Sequence, residues 1–199
     1  MSNWDERYGH EAYYYGTDPN DFLRQQARAI PSGGEVLCLG EGEGRNAVFL
    51  AGQGHAVVAV DQSAAGLRKA ERLAAAKDVQ ITTVQSDLAD YPIAPSRWNG
   101  IVSIWCHLPR RLRSDVHRQV VAGLKPGGAL LLEAYTPAQL GHGTGGPRTI
   151  DLLPTLDELR GELQGLEFVH ALEFERVVLE GKAHTGLSAV VQVVARKPR

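Results

Sequence analysis

The sequence predicts an α/β protein in which a mostly parallel sheet is covered by helices on both faces. Short apolar runs alternate with helix-like segments, which is typical of a series of βαβ units. Most of these runs are almost continuously apolar, as expected for strands that are buried on both faces. Near the end, two long strand-like runs are separated by only the six residues 181–186. Because six residues are too few for a helical crossover, these two strands must pair antiparallel.

Five apolar runs predict the parallel strands, and two more predict the closing hairpin. The run at 79–85 alternates apolar and polar residues, which indicates a strand nearer the edge of the sheet. Together the runs predict a seven-stranded sheet that ends in an antiparallel hairpin. The predicted strands are 35–40, 56–61, 79–85, 100–105, 129–134, 166–180 and 187–197.

Helix signals fill the gaps between the strands. Asp18 is the predicted N-cap of a helix that has Pro19 in its first turn and runs to about Arg28. Ser63 is predicted to cap a helix with an apolar face. The other predicted helices are 45–53, 109–123 and 155–163.

Length and composition indicate one globular domain. The 199 residues are 43% hydrophobic and 22% charged, which is sufficient for a sizeable core. We expect a single domain over 1–199, with an N-terminal arm and helix (1–30), the βα units (35–134), and a lid loop, helix and terminal strands (135–199). A net charge of −2 argues against nucleic acid or an anionic membrane as a partner.

The sequence also carries expectations about location. The first residues lack the apolar run of a signal peptide, and no segment is long and apolar enough to span a membrane. Cys38 and Cys106 both lie in apolar runs and are expected to be buried thiols without a metal. We therefore expect a cytoplasmic monomer that acts on a small molecule.

The stretch "CLGEGEGRN" predicts a ligand site. Gly40, Gly42 and Gly44 stand between the first strand and a helix, where backbone approaches a ligand at the helix N-terminus. Asp61 ends the second strand, where an acid accepts hydrogen bonds from ribose hydroxyls in dinucleotide sites. The two features together predict a cofactor that contains adenosine.

Glu41 and Glu43 help to choose the cofactor. Each carboxylate would oppose a pyrophosphate by about 4 kcal/mol at roughly 4 Å and an effective dielectric of about 20. S-adenosylmethionine carries an ammonium and a sulfonium and no phosphate, so these acids favour it over a nicotinamide dinucleotide. The alternative for Glu41 and Glu43 is that their side chains point into water.

A third acid follows the third predicted strand. Asp87 lies at the same sheet edge as Gly40 and Asp61, where it can accept from the exocyclic amine of adenine. Leu88 can pack on the adenine ring. The alternative is a loop acid that caps a short turn.

These residues resemble those of the class I, Rossmann-like S-adenosylmethionine-dependent methyltransferases. The stretches "EVLCLGEGEG", "VVAVDQS", "QSDLAD", "GIVSIWCHL" and "LKPGG" follow the family's motif order. The stretches "WDERYG…YYYGTDPNDFL" and "GEGRNAVFLA" look like the tellurite-resistance branch, a neighbour of the thiopurine methyltransferases. The resemblance implies a three-layer sandwich and in-line methyl transfer to a small molecule, with S-adenosylhomocysteine as the product and no metal.

The resemblance also implies cofactor-binding residues. The family has an acid two residues before the first glycine, and here that position is Cys38. We expect Glu41 to replace that acid as the partner of the methionine ammonium. The implied cofactor residues are Gly40, Glu41, Gly42, Gly44, Asp61, Gln62, Ser86, Asp87, Leu88, Trp105 and Cys106.

Candidates for the acceptor side are fewer. The resemblance implies catalytic roles for Arg45, His107 and His184, although a solvated helix or loop position is the alternative for each. Residues 141–148 carry four glycines and look like a lid or substrate loop. The predicted substrate-pocket residues are Trp4, Tyr8, Tyr15 and His142.

Two other functions stay open. The first is a non-catalytic module that binds S-adenosylmethionine or S-adenosylhomocysteine. The second is an NAD-dependent oxidoreductase, which the glycine spacing, Glu41 and the terminal hairpin argue against. The acceptor also stays open among a tellurium or selenium oxyanion, a thiol, a halide and a small metabolite. A general base is needed only if the acceptor must lose a proton.

Overall fold

The computed structural model describes residues 3–182 and 184–199, and in them a seven-stranded sheet forms the middle layer. Its strands are β1 Glu35–Leu39, β2 Ala56–Asp61, β3 Thr82–Gln85, β4 Trp98–Ile104, β5 Leu124–Tyr135, β6 Glu167–Glu180 and β7 His184–Arg196. The strand order is β3-β2-β1-β4-β5-β7-β6. Strands β1 to β5 pair in parallel, and β7 runs antiparallel between β5 and β6. The predicted Rossmann-like fold, with β3 at an edge, is confirmed.

Helices cover both faces of the sheet, as the alternation of side chains along β1 requires. Leu37 and Leu39 pack in one core with apolar residues of α5 and α6. Val36 and Cys38 point to the other face and pack with α2 and α3. The helices are α1 Asn3–Tyr8, α2 Asp21–Gln26, α3 Arg45–Gly52, α4 Ala64–Ala76, α5 Arg110–Gly123 and α6 Leu156–Glu162. Among these described helices, none is both long enough and apolar enough to cross a membrane.

The predicted N-cap of α2 is wrong by two residues. Asn20, and not Asp18, accepts the hydrogen bond from the backbone N–H of Leu23 at 2.9 Å. The side-chain amide of Asn20 is buried and donates to Glu133 and Glu180, so tertiary contacts fix the start of the helix at this residue. Ser63 caps α4 as predicted, since its hydroxyl accepts from the N–H of Gly66 at 3.1 Å.

Strand β5 begins five residues before its predicted start. The segment "LKPGG" is extended because it pairs at both edges of the strand. Leu124 is in register with Trp98 of β4, and the N–H of Gly127 donates to the carbonyl of Lys197 at 2.8 Å. Pairing with the end of the chain therefore overrides the turn propensity of proline and glycine.

Candidate functional site

A cavity of about 710 Å³ opens at the carboxyl ends of the parallel strands. This volume lies within the range of about 300–1,000 Å³ that is typical of small-molecule sites. The position is also where open α/β sheets bind ligands. The structure brings most of the predicted residues into its wall: Trp4, Tyr8, Tyr15, Gly40, Glu41, Arg45, Asp61, Gln62, Ser86, Asp87, Leu88, Trp105, Cys106, His107 and His184.

The glycine loop that follows β1 is shaped by backbone conformation. Gly40, Gly42 and Gly44 have φ angles of 61°, 61° and 89°, in the left-handed region that favours glycine. A Cβ on Gly44 would lie 2.4 Å from the Cβ of Ala70, so this glycine allows α3 to approach α4. Only Gly40 of the three lines the cavity. Gly42 and Gly44 therefore shape the loop from behind, and the prediction that they contact the cofactor is not supported by this geometry.

Glu41 lies in the cavity wall at the start of α3. Its Oε1 accepts from the backbone N–H groups of Asn46 and Ala47 at 3.0 and 2.8 Å. Burial raises its pKa to about 7, although these hydrogen bonds and the Arg45 guanidinium act to lower it. Burial and the Glu41 carboxylate also raise the pKa of the neighbouring Cys38 thiol. A cation bound beside Glu41 would favour its ionised form.

Glu43 does not point into water, contrary to the alternative considered from the sequence. Its side chain is buried and accepts from the backbone N–H groups of Tyr14 and Tyr15 at 2.8 and 3.2 Å. It also forms an ion pair with Lys69, whose Nζ lies 2.6 Å from Oε1. Lys69 donates in addition to the carbonyl of Ala12 at 2.7 Å. Glu43 and Lys69 therefore fasten the N-terminal arm to α4.

The N-terminal arm, residues 3–19, packs over the glycine loop and lines the cavity. The Oδ1 of Asp5 accepts from the Ser63 hydroxyl at 2.6 Å, which ties α1 to the start of α4. Tyr8 is only 7% exposed, and a Cβ on Gly42 would lie 2.7 Å from its hydroxyl oxygen. Its ring stacks on that of Trp4 with centroids 5.7 Å apart. The arm is therefore a fixed part of the wall.

Two carboxylates lie in the wall at the ends of β2 and β3. Asp61 accepts from the backbone N–H groups of Gly42 and Ser63, both at 2.8 Å, and burial raises its pKa against these bonds. Asp87 accepts from the N–H of Ala89 at 2.9 Å, and the neighbouring Leu88 is nearly buried in the wall. A carboxylate has about four lone-pair positions, so both can still accept from a ligand.

The opposite end of the cavity is aromatic. The ring of Trp105 stacks on Tyr135 with centroids 4.4 Å apart, and His107 stacks on Tyr135 at 5.6 Å. His184 of β7 meets Trp105 edge-on at 5.1 Å and lies 4.6 Å from the ring of Tyr15. Residues distant in sequence therefore form one wall, which combines the loop after β4, the terminal hairpin and the arm.

Both predicted histidines lie in this wall and are neutral at pH 7. Nδ1 of His107 is 3.3 Å from the carbonyl oxygen of Leu152, and burial lowers the pKa of the ring to about 4. Burial lowers the pKa of His184 to about 3. Nε2 of His107 and Nδ1 of His184 are buried and have no hydrogen-bond partner within the described residues.

Arg45 is buried beside this wall, but its charge is already paired. Its guanidinium forms an ion pair with Glu180 at the end of β6. Glu180 also accepts from Nε1 of Trp105 at 2.7 Å and from the Asn20 amide at 2.8 Å. These contacts hold the pKa of Glu180 below its usual value despite burial, with Arg45 the main opposing cause. Glu180 therefore positions both Arg45 and Trp105.

A second buried acid extends this network beneath the cavity. Glu133 of β5 is fully buried and accepts from Arg176 at 2.8 Å and from Gln192 at 2.6 Å. Arg176 also reaches Glu180 at 3.3 Å. The sequence reasoning missed both acids, although the single acid inside the apolar run "ALLLEA" was a signal of a paired buried charge.

His142 lies outside the cavity, which contradicts its predicted place in the substrate pocket. Its Nε2 is 2.9 Å from Glu175 of β6, because the short 3₁₀ helix Pro137–Gly141 carries it towards that strand. The rest of the predicted lid does reach the site, since residues 145–148 line the cavity. Gly146 packs so closely that a Cβ there would lie 2.6 Å from the Tyr135 ring.

The described residues include no group of three or more His, Cys, Asp or Glu side chains that could hold a metal ion. Both cysteines are free thiols, with Cys38 buried and Cys106 partly buried. Burial raises the pKa of Cys106 to about 12. The polar groups of the cavity thus include carboxylates near the glycine loop and neutral imidazoles at the aromatic end, and the guanidinium groups of Arg7, Arg45 and Arg148 also lie in its wall.

Comparisons with known proteins agree with this geometry. A family described as "Methyltransferase domain" matches residues 36–128, which span β1 to the first part of β5. A search of curated proteins found no match. The matched segment supplies the glycine loop, Asp61, Asp87 and the loop after β4, and so supports a methyltransferase of class I.

Solved structures with the same fold include three with TM-scores of 0.70 or more. One, described as "Conversion of a Disulfide Bond into a Thioacetal Group during Echinomycin Biosynthesis", has a TM-score of 0.77 at 17% identity and covers 98% of this chain and 91% of its own. TehB from Haemophilus influenzae has a TM-score of 0.72 at 20% identity, over 98% of this chain and 65% of its own. An S-adenosylmethionine-dependent methyltransferase from Methanosarcina mazei has a TM-score of 0.70 at 18% identity. The match covers 91% of this chain and 99% of the Methanosarcina chain. At these identities the likeness shows the fold alone.

Proposed function

We propose that this protein is an S-adenosylmethionine-dependent methyltransferase that transfers a methyl group by in-line displacement to a small-molecule acceptor. The observation that carries the proposal is one continuous cavity whose wall has carboxylates at the strand ends and aromatic rings at the far end. The size of the cavity suits a small oxyanion, a thiol or another small metabolite beside the cofactor. We place the chain nearest the tellurite-resistance branch on its N-terminal motifs.

The residues present fit S-adenosylmethionine. Asp61 and Asp87 offer free lone pairs where the ribose and adenine would bind, and Leu88 offers an apolar surface for the ring. Gly40 lines the cavity with backbone alone, and Glu41 suits an ammonium. The wall near the glycine loop contains the carboxylate of Glu41, and the neighbouring Arg45 is ion-paired with Glu180, which supports this cofactor over a dinucleotide.

The protein's part in the reaction is alignment. The bound cofactor supplies an electrophilic methyl group on sulfur, and the chain holds the reactants in line and keeps water out. Alignment of this kind can lower a barrier by roughly 7–11 kcal/mol. The network around Glu180 fixes Trp105 and Arg45, and the arm fixes Tyr15, so the aromatic wall is rigid before the ligands arrive.

The open aromatic end supports an enzyme over a module that only binds the cofactor. The cavity continues past the residues assigned to the cofactor to His107, His184 and Arg148, which leaves space for an acceptor. We also propose that the whole chain works as one domain, as a monomer in the cytoplasm. The two free thiols support a reducing compartment.

Calorimetric titration with S-adenosylhomocysteine, beside oxidised nicotinamide dinucleotide, tests the cofactor. We expect micromolar binding of the first alone. Asp61→Asn serves as the site variant, because an amide at this position keeps its size and still accepts from one neighbour while it loses the charge. Binding of the dinucleotide, or affinity for S-adenosylhomocysteine that is the same in Asp61→Asn and the unaltered protein, would contradict the assignment.

A further inference from the structure

Two buried ring nitrogens in the aromatic wall lack a protein partner. They are Nε2 of His107 and Nδ1 of His184, in two residues that line the cavity. A buried polar atom without a hydrogen bond destabilises a protein, so such atoms call for an explanation. Their place in the wall of a ligand cavity indicates that a bound molecule supplies the missing partner.

The tautomer of His107 decides what that partner must be. Nδ1 lies 3.3 Å from the carbonyl oxygen of Leu152, and a carbonyl oxygen can only accept. Nδ1 therefore carries the hydrogen, and Nε2 of the neutral ring presents a lone pair. Burial keeps the pKa of the ring at about 4, so the lone pair is free at neutral pH. Nε2 needs a donor.

Two guanidinium groups near the wall already have carboxylate partners. Arg45 is ion-paired with Glu180, and Arg176 is ion-paired with Glu133 and Glu180. The guanidinium of Arg7 lies over the ring of Trp4 and donates to the hydroxyl of Tyr15. Arg7 and Arg148 also line the cavity, and Arg148 is exposed, so water screens its charge. An anion without a hydrogen to donate would meet the lone pair of His107 Nε2, so this atom favours a ligand that donates.

The shape of the wall suits a flat body. The rings of Trp105 and His107, which line the cavity, are inclined to each other by only 27°. Tyr135 lies fully buried behind them and is within 25° of both. Near-parallel rings stack best on a planar apolar or aromatic molecule.

We propose that the acceptor is a neutral molecule that carries its reacting atom as X–H on a flat apolar body, and that this X–H donates to Nε2 of His107. The proposal rests on the proposed methyltransferase function and narrows its substrate class to thiols, hydroxyls and ring N–H groups. It excludes anions such as selenite or iodide as the preferred acceptor.

The same contact accounts for the proton. Transfer forms the bond between X and the methyl carbon and breaks X–H, and Nε2 of His107 accepts the proton. The electron pair of the broken carbon–sulfur bond stays on the departing S-adenosylhomocysteine. Because the imidazolium is strongly acidic in this buried place, it then returns the proton to water.

Binding to the protein saturated with S-adenosylhomocysteine tests the proposal without turnover. Calorimetry would compare phenylmethanethiol, phenol and indole, which are neutral at pH 7, with selenite and iodide. We expect at least one neutral probe to bind at least tenfold more tightly than either anion. The preferred probe then identifies whether the X–H is a thiol, a hydroxyl or a ring N–H.

Two variants test the role of the ring nitrogen. His107→Asn keeps an amide N–H for the Leu152 carbonyl and removes the atom at Nε2, so we expect the preferred probe to bind at least tenfold more weakly. His107→Gln is the matched control, because its longer side chain can present an oxygen where Nε2 lies, and most of the affinity should return. Thermal denaturation and binding of S-adenosylhomocysteine report whether each variant is folded.

The outcomes separate this proposal from the function on which it rests. Equal or tighter binding of selenite or iodide, no binding of any neutral probe, or unchanged probe affinity in a folded His107→Asn would overturn it. If His107→Asn does not fold, the comparison of probes on the unaltered protein decides. Failure of S-adenosylhomocysteine to bind the unaltered protein would instead overturn the methyltransferase assignment.

Discussion

Replacing Glu41 with Gln should stabilise the empty protein and weaken its binding of the cofactor. Glu41 is held in the cavity wall by two backbone N–H groups of α3, and burial raises its pKa from 4.5 to about 7. A change of this size corresponds to about 3 kcal/mol against the ionised form. The folded protein binds the proton of the Glu41 carboxyl group more tightly than the unfolded chain does. The contribution of this group to stability is therefore fully present below pH 4.5 and is lost as the pH rises to about 7.

Gln keeps the oxygen that accepts from α3 and cannot ionise. We therefore expect Glu41→Gln to raise the free energy of unfolding by about 1–3 kcal/mol at pH 8, and by almost nothing at pH 4.5. Affinity for S-adenosylhomocysteine should fall roughly tenfold to a hundredfold at pH 8, since a charge-assisted hydrogen bond contributes about 1.5–3 kcal/mol. Urea denaturation at the two pH values and calorimetry measure the two effects.

Glu41→Gln is thus expected to raise the free energy of unfolding and to lower the affinity for S-adenosylhomocysteine. Lower stability of Glu41→Gln at pH 8 would mean that the carboxylate is ionised and stabilises the N-terminus of α3. Unchanged affinity in a folded variant would mean that Glu41 does not hold the ammonium. Glu173 of β6, which is exposed and does not line the cavity, provides the matched control, because Glu173→Gln should change neither quantity.

Three further predictions concern the support of the site. Glu43→Gln should lower the free energy of unfolding by about 3 kcal/mol, because it leaves Lys69 unpaired in a buried place. Urea denaturation measures this loss, and limited proteolysis should cut the N-terminal arm of the variant first. An unchanged free energy of unfolding would show that the ion pair contributes little. Glu180→Gln should cost a similar amount, because Arg45 loses its partner; a loss under about 1 kcal/mol by the same measurement would contradict this. Gly44→Ala should lower the free energy of unfolding by about 3 kcal/mol or more, because φ at this position is 89° and the new Cβ would lie 2.4 Å from Ala70 of α4. A melting temperature equal to that of the unaltered protein would show that α4 moves aside without cost.

The sequence predicts the sheet well because burial on two faces leaves a direct mark. Most parallel strands are runs of apolar residues, and the six residues between the two predicted terminal strands allow only an antiparallel turn. The cofactor residues are also readable, because they stand at strand ends, where the topology must bring them together. Asp61 and Asp87 are predictable for this reason.

The acceptor end is less readable because tertiary contacts, and not local pattern, decide its side chains. Glu180 ends a strand with many exposed residues, so it looks like a surface acid, yet Arg45 from a distant helix neutralises it. Glu43 and His142 also lie elsewhere than the sequence suggests. Lys69 determines where the side chain of Glu43 points, and Glu175 determines where that of His142 points. Partners far apart in sequence leave no local signal.

The site is formed by the middle of the chain together with segments before and after it. The segment 36–128 contains the strand ends that suit the cofactor together with Trp105 and His107, whereas Tyr15, Glu180 and His184 of the acceptor wall lie before or after it. The two flanks also bind each other, because the N–H of Lys182 donates to the carbonyl of Tyr14 at 3.0 Å. Libraries that vary both flanks together, while leaving the middle unchanged, could therefore retune acceptor choice in directed evolution without rebuilding the cofactor site.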